Sequence, residues 1–262
     1  MKNFVRLLKI QIFNPAKIRM LLILSSSLFF FAYTFKDKCT DMIHKAKKAE
    51  AKGNYVRAIK ILDHAIRVYT LNHELYFERG MLKTNLKGYQ EGINDLSRAI
   101  DLKPDYAQAY AYRAIAKYDL DDFDGALKDA DRSIQLDTTN AEFFFNRGLI
   151  KYSIDDTSGA FSDFDLAIKL KPDYAHAHLK RGFIYYKAKK YELALKDINA
   201  SIEFDSGNSV AFKYRAQIYL ELNDKCKACK DLRNSLKLGY EHLYDHKVRE
   251  MYSDSCNNYH SD

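Results

Sequence analysis

The feature that most narrows the possible folds is an internal period of 34 residues, which runs from Cys39 to His242 without insertion or deletion. A fixed period of this length means that each copy is one supersecondary unit stacked on its neighbours. With Cys39 as position 1, the copies begin at Cys39, His73, Ala107, Ala141, Ala175 and Ser209. Position 28 reads Ile66, Ile100, Ile134, Ile168, Ile202 and Leu236, and position 21 reads Ile59, Ile93, Leu127, Phe161, Leu195 and Cys229. Small residues hold position 27 (Ala65, Ala99, Ser133, Ala167, Ser201, Ser235) and position 8 (Ala46, Gly80, Ala114, Gly148, Gly182, Ala216). Helical spacing puts positions 4, 8 and 11 on one stripe of a first helix and positions 20, 24, 27 and 28 on one stripe of a second. Turn-forming residues separate the two helices at Gly53-Asn54, Gly88, Asp121-Asp122, Asp155-Asp156 and Asn223-Asp224. Three prolines and ten glycines are too few for a turn-rich all-β fold. No helix pair can bury its apolar face alone, so the copies must stack.

Several of these residues resemble the tetratricopeptide repeat (TPR): an aromatic near position 4 (Tyr110, Phe144, Phe212), a small residue at 8, an aromatic at 17 (Tyr55, Tyr89, Phe123, Tyr191), Ala or Gly at 20, and Pro at 32 (Pro104, Pro172). The resemblance covers residues 39–242 and departs at position 7, where the common pattern has Leu and this chain has Arg. It implies an all-α, right-handed α-solenoid of six repeats, at 39–72, 73–106, 107–140, 141–174, 175–208 and 209–242. Glu241 to Tyr252 reads as a helix that caps the stack, followed by a tail at 253–262. The chain also resembles bacterial envelope-anchored TPR proteins with a Cys-bearing end helix.

Arg79, Arg113, Arg147, Arg181 and Arg215 all fall at position 7, and Asp95, Asp129, Asp163, Asp197 and Asp231 all fall at position 23. At about 100° per residue, both positions flank the core stripes and point to one half-buried seam. A fork-shaped guanidinium meeting a carboxylate suits that seam, so the spacing predicts repeated structural ion pairs between the two helices.

Positions 5, 9 and 12 form the opposite stripe of the first helix, which in TPR proteins lines the concave groove. Here that stripe carries Phe77, Met81, Ile115, Tyr118, Phe145, Leu149, Tyr152, Phe183 and Tyr186. An apolar and aromatic surface over four repeats suits a peptide or a partner helix. The alternatives are rings that touch one another, or self-association. The Lys/Asn/Arg carboxylate clamp of many TPR co-chaperones is not matched, with only scattered polar residues such as Asn146 and Lys180 on this side.

Cys226-Lys-Ala-Cys229 has the spacing of a redox dithiol but lies within a helix, without the strand that such motifs follow. The end helix brings Cys256 towards either thiol; Cys229 is the first expected partner and Cys226 the second. His242 and His246 share a helical face, yet no third ligand accompanies them, so no metal or other cofactor is expected.

Seven of the basic residues lie in 1–38 against Asp37 alone, leaving 35 basic and 34 acidic groups beyond. A nucleic-acid footprint needs clustered cations in the binding domain, so nucleic acid is not expected as a partner. Residues 1–19 form a basic segment, and 20–35 an uncharged run that reads as a transmembrane or signal-anchor segment. By the positive-inside rule the N-terminus stays cytoplasmic and the repeats are exported, periplasmic if the source is bacterial; a cleaved, secreted form is the alternative. The expected function is a non-catalytic scaffold that binds a protein or peptide, anchored at a membrane through 20–35. A thiol or metal-dependent enzyme using Cys226 and Cys229, and a cytosol-facing anchored adaptor, are the rivals.

Overall fold

The computed structural model describes residues 38–239 and 247–256, and among the described residues it contains thirteen helices and no strand. They are α1 (38–50), α2 (Tyr55–Val68), α3 (His73–Asn85), α4 (Tyr89–Leu102), α5 (Ala107–Tyr118), α6 (Phe123–Leu136) and α7 (Ala141–Ser153). The series continues with α8 (Thr157–Leu170), α9 (Ala175–Lys187), α10 (Tyr191–Phe204), α11 (Ser209–Glu221), α12 (Lys225–Lys237) and α13 (Lys247–Cys256). They form two compact units divided between Pro104 and Asp105, the first holding α1 to α4 and the second α5 to α13.

Within each repeat the chain reverses through one backbone device. Position 15 adopts the left-handed conformation in all six copies: Gly53, Lys87, Asp121, Asp155, Lys189 and Asn223, with φ between 57° and 72°. Position 16 then donates its N–H to the carbonyl of position 11, as in Asn54 to Ala49, Gly88 to Lys83 and Lys190 to Tyr185, at 2.8–3.0 Å. This closure satisfies carbonyls that the helix end would otherwise leave unpaired. Asn54, Asp122, Asp156 and Asp224 next accept a backbone N–H from the first turn of the following helix. The residue that stops one helix is thus followed at once by the residue that starts the next.

The core forms where positions 8 and 24 meet, and their sizes compensate. Gly148 faces Phe164, and a methyl group on Gly148 would sit 2.7 Å from the ring. Ala114 faces Ala130, Ala216 faces Leu232 and Ala46 faces Leu62, all fully or almost fully buried. In the second unit α13 packs on α12, with Cys256, Met251 and Tyr252 against Cys229, Leu232 and Leu236. The closing helix therefore ends four residues beyond the expected Tyr252, which places Cys256 within it; residues 240–246, with His242 and His246, lie outside the described residues.

One expectation is corrected. Among the described residues, no helix is long and apolar enough to cross a membrane. The described helices have at most 14 residues, which span about 21 Å against a hydrocarbon thickness of about 30 Å. Segment 20–35, on which the single-pass localisation rested, lies outside the described residues. The exported, anchored topology and the membrane contact are accordingly not retained.

Lys87 and Lys189 hold a conformation that strains an L-residue and that neither Asn nor Asp chemistry eases. Lys189→Gly is expected to raise unfolding free energy by about 0.5–1 kcal/mol, after the entropy that glycine adds to the unfolded chain. A urea titration followed by circular dichroism measures it; a lower midpoint would contradict this account of the turn.

Candidate functional site

Two side-chain systems run along the repeats. The first is ionic. In the first unit Arg79 donates from Nε and Nη2 to both oxygens of Asp95, at 2.8 and 2.5 Å, and from Nη1 to Asp63 of the preceding repeat at 2.7 Å. In the second unit Arg113 grips Asp129, Arg147 grips Asp163, Arg181 grips Asp197 and Arg215 grips Asp231, each with the same two-pronged contact. Three of these arginines also reach back one repeat: Arg147 to Asp131, Arg181 to Asp165 and Arg215 to Asn199. A position-4 ring lies beneath several guanidiniums, with Tyr110 5.5 Å from Arg113 and Phe212 5.4 Å from Arg215. Lys83, Lys117 and Lys151 supply a third cation to Asp95, Asp129 and Asp163.

The fifth repeat solves the same problem differently. Position 4 is His178, buried, with Nδ1 3.2 Å from Asp197 and Nε2 2.9 Å from the Pro172 carbonyl. The Asp197 hydrogen bond holds the imidazole above its ordinary 6.5, burial opposing. Burial alone would push the Asp197 carboxyl up, but Arg181 and His178 outweigh it and hold it below the usual range.

The second system is the aromatic stripe. Phe77, Phe145 and Leu179 are buried, while Met81, Ile115, Tyr118, Leu149, Tyr152, Phe183 and Tyr186 are half-buried. In the second unit the rings cover one another: Phe183 lies 4.7 Å from Tyr214 and 6.1 Å from Tyr152, and Phe145 lies 5.0 Å from Tyr174. Tyr118 also shares a 2.9 Å hydrogen bond with Ser153. The stripe is therefore less open than a water-facing patch.

What stays open is a cavity of about 220 Å³ between α7, α9 and α11, lined by Tyr152, Phe164, Leu179, Lys180, Phe183, Val210 and Tyr214. A smaller one of about 140 Å³ is lined by Ala111, Tyr112, Ile115, Glu142, Phe143, Asn146 and Tyr174. Of the nine stripe residues singled out from the sequence, Tyr152 and Phe183 line the first cavity and Ile115 the second. Lys180 and Asn146, noted from the sequence only as scattered polar residues, also line them; the residues missed at positions 2 and 6 are Val210, Tyr214, Glu142 and Tyr112. Their signal was available, because positions 2, 6 and 9 lie one turn apart on a single face.

Lys180 gives the first cavity its polarity. Its ammonium reaches solvent, but crowding by the cavity wall strips hydration and lowers its pKa. No carboxylate among the described residues pairs with it. The position-6 charge of the first unit differs: Glu78 is buried and meets Lys47 at 2.8 Å.

Cys229 is bonded to Cys256, closing a sequence separation of 27, while Cys226 is exposed and Cys39 is buried. The Cys226–Cys229 dithiol is thus not the pairing present. Among the described residues no group of three or more His, Cys, Asp or Glu is placed to hold a metal ion.

Residues 73–106 match the family model described as tetratricopeptide repeat. That segment is thus a tetratricopeptide repeat, and the described residues share the all-α repeat fold of tetratricopeptide-repeat proteins. No curated protein sequence matches the chain significantly. Solved structures do match in fold. One is MamA, 22% identical over 62% of this chain and 94% of that one, with a TM-score of 0.54. Another is PilF of Pseudomonas aeruginosa, 15% identical over 84% and 99%, with a TM-score of 0.73. A third is YrrB, described as a TPR protein with an unusual peptide-binding site, 16% identical over 74% and 97%, with a TM-score of 0.54.

The ionic system makes two predictions. Asp163→Ala removes the acceptor that Arg147 and Lys151 share, leaving Arg147 only its contact with Asp131, and is expected to lose about 3 kcal/mol of stability. Removing the exposed Asp41 partner of Lys45 should cost under about 1 kcal/mol; the comparison is read from urea midpoints. For His178 the folded pKa is raised. Its contribution is therefore full below the unfolded imidazole value of about 6.5 and is lost as pH rises through the folded value. His178→Phe, which installs an aromatic of the position-4 pattern, should flatten that loss; unchanged pH dependence would assign it elsewhere.

Proposed function

We propose that the chain is a non-catalytic interaction scaffold that binds a peptide segment of a partner protein on the face built by α7, α9 and α11. The observation that carries this reading is the cavity beside Lys180, where an unpaired, partly desolvated ammonium lies among Tyr152, Phe183 and Tyr214. An apolar side chain fills such a cavity, and a neighbouring carboxylate on the same peptide meets the ammonium. Rings lose little rotamer freedom on contact, so they favour recognition of an extended segment or a helix. The description of YrrB as a peptide-binding TPR protein supports the same use of the fold.

Selection of a displayed random-peptide library on the full chain tests the proposal. The enriched peptides are expected to carry an apolar residue beside an acidic one. Binding should weaken about tenfold or more, roughly 1.4 kcal/mol, in Phe183→Ala and in Lys180→Glu, with circular dichroism unchanged. Peptides that bind both variants as well as the native chain would move recognition to another face.

A further inference from the structure

In five repeats the cation at position 7 is neutralised from within, by the Asp at position 23. The first repeat breaks the pattern at both places: Lys45 stands at position 7 and Ile61 at position 23. Lys45 turns instead to Asp41, one turn back on its own helix, at 2.6 Å. Where the later repeats bury a carboxylate, this one has an apolar side chain surrounded by additional cations. Lys45 and Lys48 share one face of α1, Lys52 follows in the turn after it, and Arg57 faces them from the first turn of α2. They rim a groove of about 530 Å³ with Ala49 and Ile61 in its lining. Asn54, the N-cap of α2, opens on the same groove and adds the positive end of a helix dipole. No carboxylate is among the described residues that line it.

We propose that this groove binds an acidic peptide segment of a partner protein. Its carboxylates meet Lys48, Lys52 and Arg57, supplying the counter-charge that Asp95, Asp129, Asp163, Asp197 and Asp231 supply in the other repeats, and an apolar side chain rests on Ala49 and Ile61. The chain itself supplies the argument from charge: this position meets a carboxylate five times elsewhere. The volume accommodates several residues, far more than one inorganic anion needs. No aromatic ring lines the groove to stack a base, so the balance falls towards peptide and away from nucleic acid. The site is separate from the aromatic face of the second unit and does not rest on it.

The test uses the full chain and fluorescence anisotropy, with a labelled octapeptide of alternating Glu and Leu beside its Gln-for-Glu counterpart. The acidic peptide is expected to bind at least about tenfold more tightly, and the preference should shrink with added salt. Ile61→Asp, which returns the internal carboxylate, and the surface double variant Lys48→Glu/Arg57→Glu should each weaken binding about tenfold or more. Lys128→Glu, at an exposed lysine outside both sites, should leave it unchanged. Equal affinity for the two peptides, undiminished binding by the double variant, or an equal loss in Lys128→Glu would overturn the assignment. So would displacement of the peptide by inorganic phosphate or a single-stranded oligonucleotide at lower concentration than the unlabelled peptide requires.

Discussion

The buried guanidinium–carboxylate pair is the interaction on which the stacking of these repeats depends. An arginine such as Arg147 ties α7 to its own partner helix through Asp163 and to the preceding repeat through Asp131. A charge taken out of water costs several kcal/mol, which returns only while the geometry holds. The pairs therefore add little net stability over an apolar seam of equal volume, but they penalise every other register. One inserted residue would rotate an arginine by about 100° and strand it. This accounts for a 34-residue period that runs without insertion. Apolar contact at positions 8 and 24 supplies the driving force, and the ladder selects which contact forms.

Where the ladder is edited, local chemistry changes. Lys83, Lys117 and Lys151 give Asp95, Asp129 and Asp163 a third donor. The fifth repeat has Tyr185 at that position and recovers a third donor through His178. The carboxylate needs to stay satisfied, and two different side chains on α-helical faces achieve it. A lysine makes the arrangement insensitive to pH near neutrality, whereas the imidazole ties it to proton concentration. The first repeat goes further by losing the carboxylate altogether.

Much of this was legible in the sequence, and the reason is periodicity. A pattern repeated six times exposes Arg at 7 and Asp at 23 as partners before any coordinates, since both flank the same seam. The Cys229–Cys256 link was among the two expected pairings because position 21, where Cys229 falls, is apolar in every copy. The cavity beside Lys180 was less legible. Its walls come from positions 2 and 6 of two helices as well as from the stripe at 5, 9 and 12, and which rings fold over one another depends on side-chain size in the neighbouring repeat. The left-handed Lys87 and Lys189 were also hidden. Lysine carries no turn signal, and those residues adopt φ above zero because the bond from position 16 to position 11 demands it.

The charge count shows why periodic structure must come before composition in reading such a chain. Beyond residue 38 there are 35 basic and 34 acidic groups, which looks like a neutral, unselective surface. The ladder, however, withdraws five arginines and their five aspartates into half-buried seams, where they cancel locally and contribute little to the field outside. On the readings proposed above, recognition is left to the cations the ladder does not hold. Lys180 lies at the solvent edge of a largely apolar cavity, and Lys48, Lys52 and Arg57 gather where Ile61 replaces the expected acid. Against a background made nearly neutral by internal pairing, a few such charges dominate the approach of an acidic ligand, and their strength comes from the regularity of the repeats around them.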